Sequence, residues 1–162
     1  MSGNRRKLLS LPLAAAISAA LLFTAGPALA ASATSALRAA PAAPSAALTP
    51  GERALLWART QFGKPYEFGA TGPGGYDCSG LVMEAYRHIG IKLPRTTFAM
   101  LGSPLLVRVS HPAKGDLAFY GSGHVELYAH GDFTYGAHDS GTRIGWVEFG
   151  PWWHPTAYYR VR

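Results

Sequence analysis

The chain has 162 residues, 48% of them hydrophobic, and a formal net charge of +6 at pH 7. Apart from Arg5, Arg6 and Lys7, its bases are scattered among carboxylates rather than gathered in a run, which excludes the charge pattern of a nucleic-acid binder. A single cysteine, Cys78, excludes any disulfide within the chain.

The chain opens with basic "MSGNRRK", the apolar run "LLSLPLAAAISAALLFTAGP" and the small-x-small site "ALA" at Ala28 to Ala30. These are the three parts of a secretory signal peptide in order, so residues 1–30 are expected to be a leader cleaved after Ala30. Pro12 and Pro27 interrupt or close the apolar run, which argues against an anchor; the expected product is secreted, extracellular or wall-associated, and free of the membrane. Losing Arg5, Arg6 and Lys7 lowers the bases from 15 to 12 against 9 acids, a formal +3 that suits a polyanionic cell wall. Residues 31–48 are nearly all Ala, Ser, Pro and Thr, too poor in large apolar groups to offset the entropy of ordering, and read as a linker. Residues 49–162 suffice for one domain with one core.

Within that domain, Thr49-Pro50-Gly51-Glu52 has the N-cap, first-turn proline and third-position glutamate of a capping box. It predicts a helix through "RALLWARTQF", with Ala54, Leu55, Ala58 and Phe62 near one face, stopped by Gly63 and Pro65. After the loop "GATGPGG", Asp77 is placed to N-cap a second helix, "CSGLVMEAYRHI", whose apolar stripe is Leu81, Val82, Ala85 and Ile89 and whose stop is Gly90. Six strands follow: "LLVRV", "DLAFY", "HVELY", "FTYGAH", "TRIGWVEF" and "AYYRVR". Helices first and strands after predict an α+β fold, with helices packed on an antiparallel sheet of about five to six strands.

Cys78 falls in the first turn of its helix, where unpaired N–H groups and the macrodipole favour the thiolate. An unpaired cysteine in an exported protein is an intermolecular bridge, a free reactive thiol or an inert buried residue, and this context favours the reactive thiol. A nucleophile needs a base, and six histidines are available. His88 is nearly three turns along the same helix, His111 and His154 precede prolines, and His130 sits in a turn-like segment. His124 and His138 lie in strand-like segments.

The segments "GKPYEFGATGPGGYDCSGLVMEAYRHIGIKLPRTT", "KGDLAFYGSGHVELY" and "GAHDSGTRIGW" resemble the successive motifs of the NlpC-type (NlpC and p60) cell-wall peptidases, papain-like cysteine hydrolases of bacterial peptidoglycan. The resemblance spans residues 50–162. It implies Cys78 as nucleophile, His124 as general base, Tyr66 of the "PY" motif as an oxyanion donor, and Asp77 and Ser79 as holders of the amino end of a stem peptide. It implies cleavage of stem peptides, often between D-glutamate and the diamino acid, and no metal or other cofactor; dispersed histidines and one cysteine also lack zinc-ligand spacing. A monomer is assumed. The alternatives are another amidase or acyl-transfer enzyme on the same fold, and an inactive wall-binding module.

The family commonly places a third polar residue, often His, twelve positions after the base, and here that position is Gly136. Side chains alternate faces along a strand, so hairpin register limits what replaces it. If Val125 and Leu127 share an apolar face with Phe133, Tyr135 and Ala137, then His124, Glu126, Tyr128, Thr134, Gly136 and His138 share the other. That register sets His138 diagonally beside His124, at ~7–8 Å between backbone positions, and makes it the expected orienting residue. A shift by one residue brings Asp139 instead. Glu126 departs from the small residue common in the family; it is read either as a contact for a cationic part of the substrate or as a solvent-facing residue at a sheet edge. The aromatic cluster "WVEFGPWW" is read as core packing, with a groove wall as the alternative.

Overall fold

The computed structural model describes residues 47–162; the expected leader and nearly all of the expected linker lie outside the described residues. Helices α1 (Pro50–Arg59), α2 (Cys78–His88) and α3 (Thr97–Leu101) precede strands β1 (Leu106–Val109), β2 (Leu117–Tyr120), β3 (His124–His130), β4 (Phe133–Gly136), β5 (Gly145–Glu148) and β6 (Ala157–Val161). One six-stranded sheet results, in the order β1-β6-β2-β3-β4-β5, with every neighbouring pair antiparallel. This is the expected α+β architecture.

The capping box forms: the Glu52 N–H donates to Thr49 Oγ1 at 3.2 Å and the Thr49 N–H to Glu52 Oε2 at 2.9 Å. α1 ends sooner than its sequence suggests, because the chain turns at Thr60, whose hydroxyl donates to the Trp57 carbonyl at 2.7 Å. Phe62 therefore leaves the apolar face and is 70% exposed. Short α3, capped by Thr96 accepting the Ala99 N–H, was not expected from the pattern. Its five residues are too few for a periodicity signal.

Leu81, Val82 and Ala85 of α2 are fully buried in one cluster with Leu117, Phe119, Val125, Leu127 and Tyr135 of the sheet. Each large side chain so buried contributes roughly 1.5–3 kcal/mol, and this packing holds the N-terminus of α2 against the start of β3. Tyr86 pins the other end of the helix, its hydroxyl donating to the Gly115 carbonyl at 2.9 Å.

The β3–β4 register sets Leu127 opposite Tyr135 and Tyr128 opposite Thr134. Val125, Leu127, Tyr135 and Ala137 thus fall in the core with Phe133 packed against it, as the alternation requires. An irregularity between Tyr128 and His130 adds one residue to β3 beside the turn, so the strand runs to His130 rather than stopping at Tyr128. Continued past Tyr135, the register sets Glu126 opposite Gly136 and His124 opposite, not diagonal to, His138.

Candidate active site

Cys78 is the first residue of α2 and only 8% exposed. Its N-cap, Asp77, accepts the Gly80 N–H on Oδ1 at 2.6 Å and the Gly69 N–H on Oδ2 at 2.9 Å. Gly80 is required two residues after the cysteine: a Cβ there would stand 2.2 Å from the Ala70 carbonyl oxygen, so only glycine lets the preceding loop close on the helix's first turn. Arg95 clamps the same carboxylate, with Nη2 to Oδ2 at 2.5 Å and Nη1 to Oδ1 at 3.1 Å, and also donates to Ser79 Oγ at 3.0 Å. The N-cap and the residues flanking the thiol are therefore one prebuilt cluster. Arg95 was not singled out in the sequence; the "PRTT" segment that carries it offered no spacing to the cysteine.

His124 opens β3 directly after the three-residue turn 121–123 and stands beside the thiol. Burial alone would push the Cys78 thiol up, but the His124 ring and its charge, with the Val125 and Ser79 backbone N–H groups, outweigh burial and leave it below the ordinary thiol value. Burial likewise opposes a charged His124, yet its interactions with the thiol and with Glu126 raise it to about 9. Both directions favour a thiolate–imidazolium pair at neutral pH.

The decisive neighbour is Glu126. It is fully buried, so neither expectation for it holds: it faces no solvent, and no substrate can reach it. Its Oε1 lies 3.1 Å from His124 Nε2 and 3.0 Å from His138 Nδ1, while Oε2 accepts the Thr134 hydroxyl and lies 3.5 Å from the Tyr120 hydroxyl. Burial would raise its pKa, but the two histidines and Thr134 hold the carboxyl down at about 2.

His138 is brought to the site, as the register required, but it does not hydrogen bond His124. The rings meet edge to face at 5.6 Å between centroids, and the His138 Nδ1 is turned to Glu126. Asp139, the alternative third residue, is exposed, and its carboxylate accepts the Ser140 N–H at 2.6 Å within the following turn, whereas the His124 Nε2 meets Glu126. The acidic and imidazole donors of His124, Glu126 and His138 lie within 4.8 Å of one another, close enough for a cation. Each ring nitrogen facing Oε1 is, however, already within hydrogen-bond distance of it.

Trp153, from the loop between β5 and β6, closes over this cluster. It stacks on Tyr120 at 4.6 Å and 12° and packs 5.7 Å from His124 and 5.5 Å from His138 between centroids. It also lines the cleft, so of the aromatic cluster Trp153 supplies a groove wall, while Trp146 packs edge to face on Tyr135 and Trp152 is exposed.

The cleft, about 750 Å³, is bounded by Tyr66, Asp77, Cys78, Ser79, Arg95, His124, His138, Asp139 and Trp153 together with exposed Phe68 and Phe98. All the sequence-predicted site residues thus meet at one opening. Tyr66 is fixed by its N–H donating to the Thr142 carbonyl at 3.0 Å. Burial, then the nearby Cys78 and Asp77 charges, raise its phenol, which keeps it a hydrogen-bond donor.

Fold and site together define an α+β domain with a thiol at a helix N-terminus beside an imidazole whose Nε2 meets a buried carboxylate. The NlpC/P60 family profile matches residues 63–157, and the chain belongs to that family. It is 42% identical over 105 residues to a "probable endopeptidase" of Corynebacterium glutamicum, covering 62% of this chain and 50% of that protein. It is 35% identical over 99 residues to "probable endopeptidase p60" of Listeria monocytogenes, covering 59% of this chain and 20% of that one. The chain thus spans half or less of the length of these relatives. Among solved structures, the NlpC/p60 domain of peptidoglycan hydrolase SagA matches with a TM-score of 0.61 and 26% identity, over 68% of this chain and 97% of that one. The peptidoglycan hydrolase RipB of Mycobacterium tuberculosis matches with a TM-score of 0.59 and 28% identity, over 68% and 64% of the two chains.

Proposed function

We propose that this chain is an exported cysteine endopeptidase that hydrolyses amide bonds of peptidoglycan stem peptides, at the bond joining D-glutamate to the diamino acid. The observation that carries this reading is the Cys78–His124 pair, with a lowered thiol and a raised imidazole, at the floor of an open cleft. The likeness to relatives named as endopeptidases and peptidoglycan hydrolases supports the substrate class.

In the proposed reaction the Cys78 thiolate attacks the carbonyl carbon of the scissile amide. The oxyanion meets the Cys78 N–H at the helix terminus and the Tyr66 hydroxyl, donors worth roughly 3 kcal/mol each in well-studied cases. His124 gives its proton to the leaving amine, leaving a thioester; it then takes a proton from water, which attacks the thioester and frees Cys78. Asp77 and Ser79 lie beside the nucleophile, in position to hold the amino end of the stem peptide.

An inactive wall-binding module would suit a His124 left without an orienting group by Gly136, and the Glu126 carboxylate 3.1 Å from His124 speaks against it. Acyl transfer to an amine in place of water would use the same groups, so the products separate the two. Mass spectrometry of defined muropeptides, after incubation with the protein and with Cys78→Ala, is expected to show two peptide fragments with wild type alone. Products joined to an added amine would mean transfer, and cleavage by Cys78→Ala would overturn the nucleophile.

A further inference from the structure

Position 136, where a side chain is expected to orient the base histidine, is a glycine. Glycine at 136 supplies no group to orient His124, yet the space above it is filled. A Cβ on Gly136 would stand 2.6 Å from Glu126 Cγ, 3.0 Å from Cδ and 3.1 Å from Cβ, so the Glu126 side chain lies directly across the bare backbone of the neighbouring strand. The carboxylate is carried in this way between two imidazoles, with a hydroxyl from β4 and one from β2 on its other oxygen.

We infer that Glu126 is the positioning residue for His124, accepting the Nε2–H so that Nδ1 is left to exchange the proton with Cys78, and that Gly136 is the vacancy that admits it. His138 is then one step removed from the reacting atoms: it donates from Nδ1 to the same oxygen and fixes the carboxylate rather than the base.

Charge supports this division. An ionised carboxylate is acceptor-only, so both facing ring nitrogens must carry hydrogen, which sets the tautomer of each ring. The titratable groups facing Glu126 and His124 are Cys78 from α2, Tyr120 from β2 and His138 beyond β4, with the neutral Thr134 hydroxyl from β4 and the Trp153 ring from the β5–β6 loop. Glu126 is the one acidic side chain in that set. A buried carboxylate with two imidazole partners stabilises the imidazolium, and through it the thiolate.

The inference rests on the cysteine-hydrolase reading, and its test includes readouts that need no substrate. Glu126→Gln keeps the shape and removes the charge. It is expected to lower kcat by about 10²- to 10⁴-fold with KM within about twofold, and to move the midpoint of Cys78 alkylation to higher pH. A purely structural Glu126 would move neither; unchanged kcat and midpoint in a folded Glu126→Gln would overturn the inference. Nitrogen-15 spectra of the histidine rings in the wild-type protein guard against a variant that fails to fold. On alkaline titration His124 is expected to keep its Nε2 proton and lose that on Nδ1, and loss from Nε2 would overturn the inference. Should the wild-type protein cleave no muropeptide, the endopeptidase reading falls while the tautomer and alkylation results still judge Glu126.

Discussion

Gly136 and Glu126 fit each other across the β3–β4 hairpin, the glycine leaving the space that the glutamate side chain occupies, with 2.6 Å between a Cβ placed at 136 and Glu126 Cγ. A methyl group added there forces the buried glutamate to shift. Gly136→Ala is therefore expected to destabilise the fold by about 1–3 kcal/mol through overpacking. It is also expected to lower kcat at least tenfold by displacing the carboxylate from His124. Calorimetry and muropeptide turnover on the same preparation check both.

Arg95 neutralises Asp77, which is nearly buried at the N-cap of α2. Arg95→Ala leaves that carboxylate with the Gly69 and Gly80 N–H groups and the Ser79 hydroxyl at 3.4 Å but no cation, and is expected to cost about 1–3 kcal/mol. Because Asp77 and Ser79 line the cleft, KM is expected to rise more than kcat falls. Steady-state kinetics beside denaturant unfolding measures the two effects.

Much of this was legible in the sequence because its signals were local. The capping box at Thr49, the N-cap at Asp77 and the alternation of Val125, Leu127 and Tyr135 each depend on neighbours a few residues away. The same alternation put His124, Glu126, Gly136 and His138 on one face, which was the available clue to Glu126. What it could not convey is that this face is covered. Trp153, nearly thirty residues beyond Glu126, packs on Tyr120 and both histidines and changes a sheet surface into a buried polar cluster. Arg95 was hidden for a related reason: only the closure of the loop before α3 onto the start of α2 brings it to Asp77. Phe62 errs in the opposite direction, a helical pattern continued past the turn at Thr60 that ended the helix.

Stability should fall in acid through Glu126. Its folded pKa, about 2, lies below the ordinary 4.5, so its contribution is present above the unfolded value and is lost as pH falls from about 4.5 through about 2. Thermal melts across that window are expected to show a steeper decline for wild type than for Glu126→Gln.

Hydrolysis should follow a bell-shaped pH profile. The acid limb reports formation of the thiolate, below the ordinary thiol range, and the alkaline limb reports loss of the His124 proton near pH 9. The two groups titrate as a pair, so kcat/KM between pH 4 and 10 gives apparent values for the pair rather than for either residue.

The most direct test of the central claim, that Cys78 is a free nucleophile ionised by His124, is the rate of Cys78 alkylation by iodoacetamide against pH. The thiol is the only one in the chain, so the signal needs no assignment. Wild-type protein is expected to react with a midpoint well below the ~8.5 of an ordinary cysteine, and His124→Ala to move the midpoint upward. A wild-type midpoint at or above the ordinary value, unchanged in His124→Ala, would contradict the account.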